Sequence, residues 1–210
     1  MRNRYKIIPV ALFLILFVCI VPLRAQESEQ YGVQAIAVKT NLLYDAAMIP
    51  NIGVELAFPN NWSLIGNWNY AWWSNYDKHR FWRTYGGEVE ARKWFGKYAD
   101  EDYFRGQHCG LYIMAGTYDF EWGKTGYMND LYFSVGVAYG YAVKIARNLS
   151  LDFVIGVGYM CGTNQKYRPE DGKYCIIDTK NLSYIGPTKA EISLVWTISD
   201  LINGKKGGRK

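Results

Sequence analysis

The chain has 210 residues, a formal net charge of +5 and 50% hydrophobic residues, which is enough for one domain with a sizeable core or for one small barrel. Its excess positive charge is concentrated at the two ends, with four basic residues in the first 25 positions and four in the last six. The rest of the chain has no basic patch that suits nucleic acid, so we predict no nucleic-acid partner.

The first 25 residues have the pattern of a secretory signal peptide. Basic residues precede an apolar run from Ile7 to Leu23, and Ala25 offers a small residue for cleavage. The apolar run is somewhat shorter than the ~20 residues that a membrane-spanning helix needs, although an uncleaved anchor is the alternative. We therefore predict export with removal of residues 1–25, followed by a short N-terminal lead over residues 26–34.

Apolar and polar residues alternate along most of the remaining chain, from residue 35 to residue 198. In the first segment, 35–45, Ile36 and Val38 fall on one face and Lys39 falls on the other, and Tyr44 continues the apolar face. Period two at this repetition predicts β-strands. The seven further segments with this pattern are 52–58, 62–73, 85–95, 108–118, 131–141, 149–159 and 189–197.

The connections between these eight strands alternate in length. PNN at 59–61 and ARN at 146–148 predict tight turns, and the connection at 96–107 is longer. The other connections, about 46–51, 74–81, 119–130 and 161–184, are mostly longer and polar. This arrangement is typical of an all-β, up-and-down antiparallel barrel of the outer-membrane kind, with loops 74–81, 119–130 and 161–184 facing outward. Aromatic residues near the predicted strand ends would form the interfacial girdles: Trp62, Trp72, Trp73, Trp82, Trp94, Phe95, Trp122 and Trp196.

Charged residues recur on the face opposite the apolar one. In YGGEVEARKWF, residues 85–95, three charges occupy alternate positions. A membrane barrel turns its apolar faces to lipid and its polar faces to the lumen, and a barrel of eight strands is narrow enough for side chains to fill it. The sequence therefore predicts a polar, side-chain-filled lumen, in which glycines 136, 140, 156 and 158 leave room for longer side chains. The predicted network consists of Lys39, Glu55, Glu88, Glu90, Arg92, Asp152, Lys189 and Glu191.

Two groups of residues have a composition that would suit catalysis. Ser74, Asp77 and His79 share one predicted outer loop and are the residue types of an acyl-transfer site. Such a set also arises easily by chance in a polar loop, so we predict no enzyme and keep a lipid-modifying enzyme at the outer rim as an alternative. Glu88 and Glu90 have the residue types of paired glycosidase carboxylates, but the neighbouring Arg92 favours ion pairing.

The cysteines and histidines indicate no metal or cofactor site. Cys161 and Cys175 flank one loop-like segment and could pair in an exported protein. Cys109 begins a strand pattern and is predicted to be a lone buried thiol. His108 has no second histidine close to it, and we find no phosphate loop, metal-binding cysteine pair or dinucleotide motif, so we predict no cofactor and no metal.

Several stretches of the chain resemble a known family. They are VKTNLLYDA (38–46), PNIGVELAF (50–58), NWSL (61–64), EARKWF (90–95), NLSLDFVIGVGY (148–159) and YIGPTKAEISLVW (184–196). These stretches closely resemble small exported barrel proteins of Bacteroidota, catalogued as domain of unknown function 3575. The resemblance extends from about residue 35 to residue 198 and implies an outer-membrane β-barrel with no assigned activity.

We therefore predict a structural or surface-interaction barrel over residues 35–198 in the outer membrane. Its partners would be outer-membrane lipid, lipopolysaccharide and a surface or envelope protein. The Gly-rich basic tail, residues 199–210, is predicted to be disordered. A soluble periplasmic barrel that binds an apolar ligand, with its two faces reversed, is a further alternative.

Overall fold

A computed structural model describes residues 32–123, 125–170 and 173–198. The predicted signal peptide, most of the N-terminal lead and the predicted tail, residues 199–210, lie outside the described residues. The described chain forms a closed barrel in which eight strands pair in sequence order. Every neighbouring pair is antiparallel, including β8 with β1. The prediction of an all-β, eight-stranded, up-and-down barrel is therefore confirmed.

The strands differ greatly in length. They are β1 (Ala35–Asn41), β2 (Asn51–Phe58), β3 (Trp62–Asn75), β4 (Arg80–Phe95), β5 (Gly106–Trp122), β6 (Thr125–Ala146), β7 (Leu149–Glu170) and β8 (Lys173–Thr197). β1 has 7 residues and β8 has 25, and the pairing of these two strands stops at Asn41 opposite Ser193. The barrel wall is consequently lowest at β1 and β2, and residues 173–192 of β8 pair with β7 alone.

A short helix, α1 (Leu42–Ala46), replaces the predicted continuation of the first strand to residue 45. The Asn41 side chain accepts a hydrogen bond from the Leu43 backbone N–H at 3.1 Å, as an N-cap residue does. The Asn51 amide holds the same turn, because it accepts from the Asn41 N–H at 2.6 Å and donates to Asp45 Oδ1 at 2.9 Å. Local capping therefore overrides the alternating pattern here. The described part of the chain contains no candidate for a membrane-spanning helix.

The connections differ between the two ends of the barrel. The tight turns at 59–61 and 146–148 and the longer connection near 96–107 lie at one end, as predicted. At the other end, the long loops predicted at 74–81, 119–130 and 161–184 are wrong. Strand pairing continues there to Asn75 opposite Arg80, Trp122 opposite Thr125 and Glu170 opposite Lys173. Ladder hydrogen bonds use only the backbone, so strands without apolar alternation still pair when their neighbours continue.

The aromatic residues occupy both faces of the wall. Trp62, Phe95 and Trp196 are exposed near the end with the tight turns, and Trp72 is exposed nearer the other end. Trp94 is only 6% exposed, and its indole N–H donates to the Ser63 hydroxyl at 2.8 Å, so its assignment to a girdle is wrong. Trp82 is 37% exposed, and its indole N–H donates to the Ala47 carbonyl at 3.0 Å.

Candidate functional site

Arg92 lies at the centre of a charged network inside the barrel. Its side chain is fully buried, at 0% exposure. Its guanidinium lies 2.7 Å from Asp152 Oδ2 and 3.0 Å from Glu90 Oε1. Glu55 and Glu191 lie slightly further from it, at 3.7 Å and 3.8 Å. One buried cation therefore faces four carboxylates that belong to four different strands.

Two lysines complete the network. The Lys39 ammonium lies 3.2 Å from Glu191 Oε2 and 3.5 Å from Asp152 Oδ2. The Lys189 ammonium contacts Glu90 Oε2 at 2.6 Å and Glu191 Oε1 at 3.5 Å, and it also donates to Glu88. All eight residues of the predicted network therefore lie together in the lumen. Shared ion pairs of this kind compensate charges that would be very costly if each were buried alone.

Further polar residues that were not predicted from the sequence belong to this network. His108 is fully buried, and its Nε2 lies 2.9 Å from Asp152 Oδ1. The Ser63 hydroxyl donates to Glu55 Oε1 at 2.6 Å, and the Asn67 amide donates to Glu88 Oε1 at 3.0 Å. In the sequence, His108 alternates with Gly110 and Tyr112, which indicates the inward face of β5. The absence of a second histidine nearby argues only against a metal site and does not reveal this luminal position.

Glycines on the inner wall create the space that these side chains occupy. A Cβ at Gly140 would meet the His108 ring, and a Cβ at Gly136 would meet the Tyr112 hydroxyl. At Gly156 it would meet the Lys189 Cβ at 2.9 Å. The Tyr112 hydroxyl in turn shares a hydrogen bond with Thr188. Because glycine has no side chain, the His108 and Tyr112 rings and the Lys189 side chain can extend into the lumen at these positions.

The lumen is closed below the network by an apolar cluster. The connection after β4 places Phe104 and Ala99 against Trp94, and inward-facing alanines and Val195 complete the cluster. Beside the network, a cavity of about 20 Å³ is lined in part by Asn41, Asn67 and Ser193. This volume is roughly that of one water molecule. The charged network and the apolar cluster together fill this part of the lumen with side chains.

The candidate catalytic residues are not brought together. The Ser74 hydroxyl accepts a hydrogen bond from Arg83 Nε at 2.7 Å. The His79 Nδ1 lies 3.2 Å from Glu121 Oε1, so the acid beside His79 is not Asp77. No hydrogen bond between Ser74 and His79 occurs in the described part of the chain. The nucleophile–base contact that defines a triad is thus missing from this set.

Ser74 contacts instead a polar cluster within the long hairpins, in which Arg83 and Tyr167 are buried. Arg83 donates to Asp119 at 3.2 Å and to the Tyr76 hydroxyl at 3.1 Å, and its guanidinium lies 3.8 Å from the centre of the Phe81 ring. The Tyr167 hydroxyl donates to Asp119 at 2.6 Å. Burial and this hydrogen bond raise the pKa of Tyr167, which keeps the hydroxyl protonated as a donor. The cluster links strands β3, β4, β5 and β7.

The environments of the cysteines differ from those predicted from the sequence. Cys161 pairs opposite Ser183 and Cys175 opposite Arg168, and all three described cysteines are free. Seven residues along β7 separate the two pairing positions, or roughly 23 Å at the usual strand rise, so the predicted disulfide is wrong. Cys109 is exposed on the outward face, so the prediction of a buried thiol is also wrong. No group of three metal-ligating side chains occurs among the described residues.

The comparisons with known proteins assign no activity to the chain. The model of a family described as "Protein of unknown function (DUF3575)" matches residues 12–198. No curated protein matches the chain. Among solved structures, the chain is similar to the crystal structure of Neisserial surface protein A, with 12% identity and a TM-score of 0.36, over 81% of this chain and 99% of that one.

Proposed function

The chain belongs to this family of unknown function, and from that premise we propose that it is a non-enzymatic outer-membrane β-barrel with a structural or surface-interaction role. It is exported through a cleaved signal peptide and inserted into the outer membrane. There its wall contacts membrane lipid and lipopolysaccharide. Its long hairpins extend away from the membrane and contact a surface or envelope protein.

The observation that carries this proposal is the inverted distribution of polar and apolar side chains. Val137, Ile155 and Ile185 are 52%, 62% and 83% exposed on the outward faces of their strands, whereas Glu90 and Arg92 inside the barrel are completely buried. A water-soluble protein has the opposite distribution, and an apolar outer band is the feature of a barrel in lipid. Closure of the sheet also satisfies the backbone groups that lipid cannot.

The charged interior argues against the soluble alternative. A periplasmic carrier of an apolar ligand needs an apolar cavity, and here the lumen is filled by ion pairs around Arg92. A lipid-modifying enzyme has little support, since Ser74 and His79 are held by different partners. Lipid A from cells that produce Ser74→Ala and His79→Ala variants should therefore be identical to lipid A from cells with the unmodified protein.

The long hairpins support a role in surface contacts. They carry large exposed rings, including Tyr76 on β3–β4, Trp122 on β5–β6 and Tyr174 on β7–β8. Exposed aromatic residues on projecting segments are common in interaction sites. The opposite end, by contrast, has tight turns at 59–61 and 146–148, as the periplasmic ends of outer-membrane barrels do.

Cell fractionation combined with gel mobility tests the proposal. The protein should separate with outer-membrane vesicles on a density gradient, and the unheated barrel should migrate faster than the boiled chain. An epitope inserted between Asp77 and Lys78 should bind antibody on intact cells. The same epitope between Asn60 and Asn61 should bind only after lysis. Recovery in the soluble periplasmic fraction would contradict the proposal, as would surface exposure of the second epitope.

A further inference from the structure

A second set of side chains faces the interior beyond the charged network, towards the end with the long hairpins. We call this set the upper cup, and it consists of Trp82, Tyr118, Phe120, Asn129, Tyr132 and Asn164. Phe120 lies opposite Trp82, and Asn129 lies opposite both Tyr118 and Asn164. Alternation along β4, β5 and β7 puts Trp82, Phe120 and Asn164 on the inward face of their strands. A register shift between Asn129 and Tyr132 brings Asn129 to the same face of β6 as Tyr132.

The aromatic members form a continuous ladder across three strands. The ring centres of Trp82 and Phe120 lie 4.4 Å apart, and those of Phe120 and Tyr118 lie 5.3 Å apart at an interplanar angle of 13°. Tyr132 follows at 6.3 Å from Tyr118. Trp82 is 37% exposed despite its inward position, and its indole N–H is held by the Ala47 carbonyl at 3.0 Å. The ladder therefore presents fixed ring surfaces that solvent can reach.

An oriented amide lies beside these rings. Asn164 Oδ1 accepts two hydrogen bonds, from the Tyr118 hydroxyl at 2.9 Å and from Asn129 Nδ2 at 2.6 Å. Asn129 is itself fixed, because its Oδ1 accepts from the Leu131 N–H at 3.0 Å. Both donors bind the oxygen of Asn164, so its Nδ2 points elsewhere and has no acceptor in the described part of the chain. Asn164 thus offers a pre-oriented donor next to stacked aromatic faces.

The cup is accessible from the end with the long hairpins, where Trp82 is 37% exposed. Its floor is closed by the ion pairs of Glu88, Glu90 and Lys189. On the side where β1 ends and β2 begins, α1 and the turn after it cover the cup. The Ala47 carbonyl there accepts from the Trp82 indole, and Tyr44 lines the small cavity beside Lys39. In the row between the rings and the floor, the Tyr132 hydroxyl occupies the space beside Gly116, and the Asn129 amide occupies the space beside Gly162. A ligand can therefore reach the exposed rings from that end of the barrel.

We propose that the upper cup binds a neutral saccharide presented from outside the cell, where the location of the cup rests on the function proposed above. The C–H face of a pyranose packs against a flat aromatic ring, and its hydroxyl groups accept from an oriented amide such as Asn164. None of the six defining residues carries a charge, which suits a neutral ligand; the neighbouring Lys166 ammonium lies over the Tyr127 ring at 5.7 Å. An alkyl chain would bury the Asn164 donor without an acceptor.

Binding to the purified barrel, folded in detergent, tests this proposal. The probes are maltohexaose, cellohexaose and laminarihexaose, three neutral glucans of different linkage, with palmitate as the apolar competitor. At least one glucan should show saturation transfer from the protein to its ring C–H protons. Phe120→Leu keeps an apolar side chain but removes the ring, and Asn164→Leu removes the donor. Each variant should weaken the affinity about tenfold, the loss expected from one stacking contact or one hydrogen bond.

Phe133→Leu is the matched control, because Phe133 is exposed on the outward face of β6. Its affinity for the glucan should equal that of the unmodified barrel. Heat-dependent gel mobility establishes that each variant is folded, and Trp82→Leu is the second ring variant if Phe120→Leu fails to fold. Three results would overturn the proposal: no transfer to any of the glucans, unchanged affinity in folded ring and amide variants, or displacement of the bound glucan by palmitate.

Localisation separates this inference from the proposed function. A barrel that fractionates with the outer membrane but fails the binding assay overturns only the saccharide site. A barrel that binds a glucan through Phe120 and Asn164 but fractionates with soluble proteins overturns only the outer-membrane role.

Discussion

At the scale of single residues, Arg92 is the group on which the luminal charges depend most. It contacts Glu55, Glu90, Asp152 and Glu191 and has no contact with solvent. Removal of one partner from a buried ion pair is more damaging than replacement of the whole pair by apolar residues, because the remaining charge stays uncompensated. The network is therefore a more sensitive target for substitution than the exposed apolar wall.

We expect Arg92→Met to destabilise the barrel by about 3–5 kcal/mol, the usual cost of an unpaired buried charge. The free energy of unfolding in urea, followed by tryptophan fluorescence in lipid vesicles, measures the effect. Lys93→Met, at the next position and on the opposite face, is the control, and its loss should be below about 1 kcal/mol. Equal losses for the two variants would show that the charges inside are not coupled.

Gly140 gives a second test at this scale. Its missing side chain makes room for the His108 ring, so Gly140→Ala should push the imidazole away from Asp152 and cost about 1–3 kcal/mol. Gly66 also lies in a strand, but a Cβ there would have no heavy atom within 4 Å, so Gly66→Ala should be neutral or slightly stabilising. The unfolding midpoints of the two variants measure this difference in stability. A Gly140→Ala variant as stable as the unmodified protein would contradict the described packing.

At the scale of elements, the long hairpins are paired strands and not loops. β7 and β8 continue their pairing from Leu149 opposite Trp196 to Glu170 opposite Lys173, with two register shifts. This register places Cys161 opposite Ser183 and separates it from Cys175. The hairpin is thus a defined sheet that projects beyond the height of β1 and β2.

A cross-link measures this register. In a chain with Cys109→Ala and Cys175→Ala, the substitution Ser183→Cys should form a disulfide with Cys161, because directly paired Cα atoms lie about 4.5–5.5 Å apart. Mass spectrometry of peptides from the oxidised protein detects the link. With Ser183 retained, Cys161 and Cys175 should both stay free and react with a maleimide. A native link between Cys161 and Cys175 would contradict the register.

Much of this architecture follows from the sequence, and the predictions that were wrong have physical causes. Alternation in segments such as 131–141 predicts a two-faced strand, and the charges in 85–95 predict which face turns inward. Alternation disappears where a strand leaves the apolar band, so the outer halves of β7 and β8 have the composition of loops. Capping by Asn41 ends β1 early, against the pattern. The upper cup is not predictable in this way because its rows assemble from different strands, whose register one sequence does not fix.

At the scale of the whole molecule, the outward apolar surface determines where the protein is stable. Val137 is half-exposed on the outer wall, so a lysine there would be tolerated in water but not in lipid. We expect Val137→Lys to cost about 2–4 kcal/mol in vesicles, the usual loss for a charge near the bilayer midplane. Thr179→Lys, on the outward face of the β7–β8 hairpin, should cost less than about 1 kcal/mol. Equal stability of both variants would contradict a membrane location.

The short β1 has a consequence for how the barrel forms. Its pairing with β8 joins the first and last strands of the barrel through a few residue pairs, from Ala37 opposite Thr197 to Asn41 opposite Ser193. These contacts have the greatest sequence separation of any in the wall, and such contacts form slowly because they require the largest loop to close. We therefore expect the hairpins from β2 to β8 to form before the β1–β8 pairing, and this pairing to open first when the barrel unfolds.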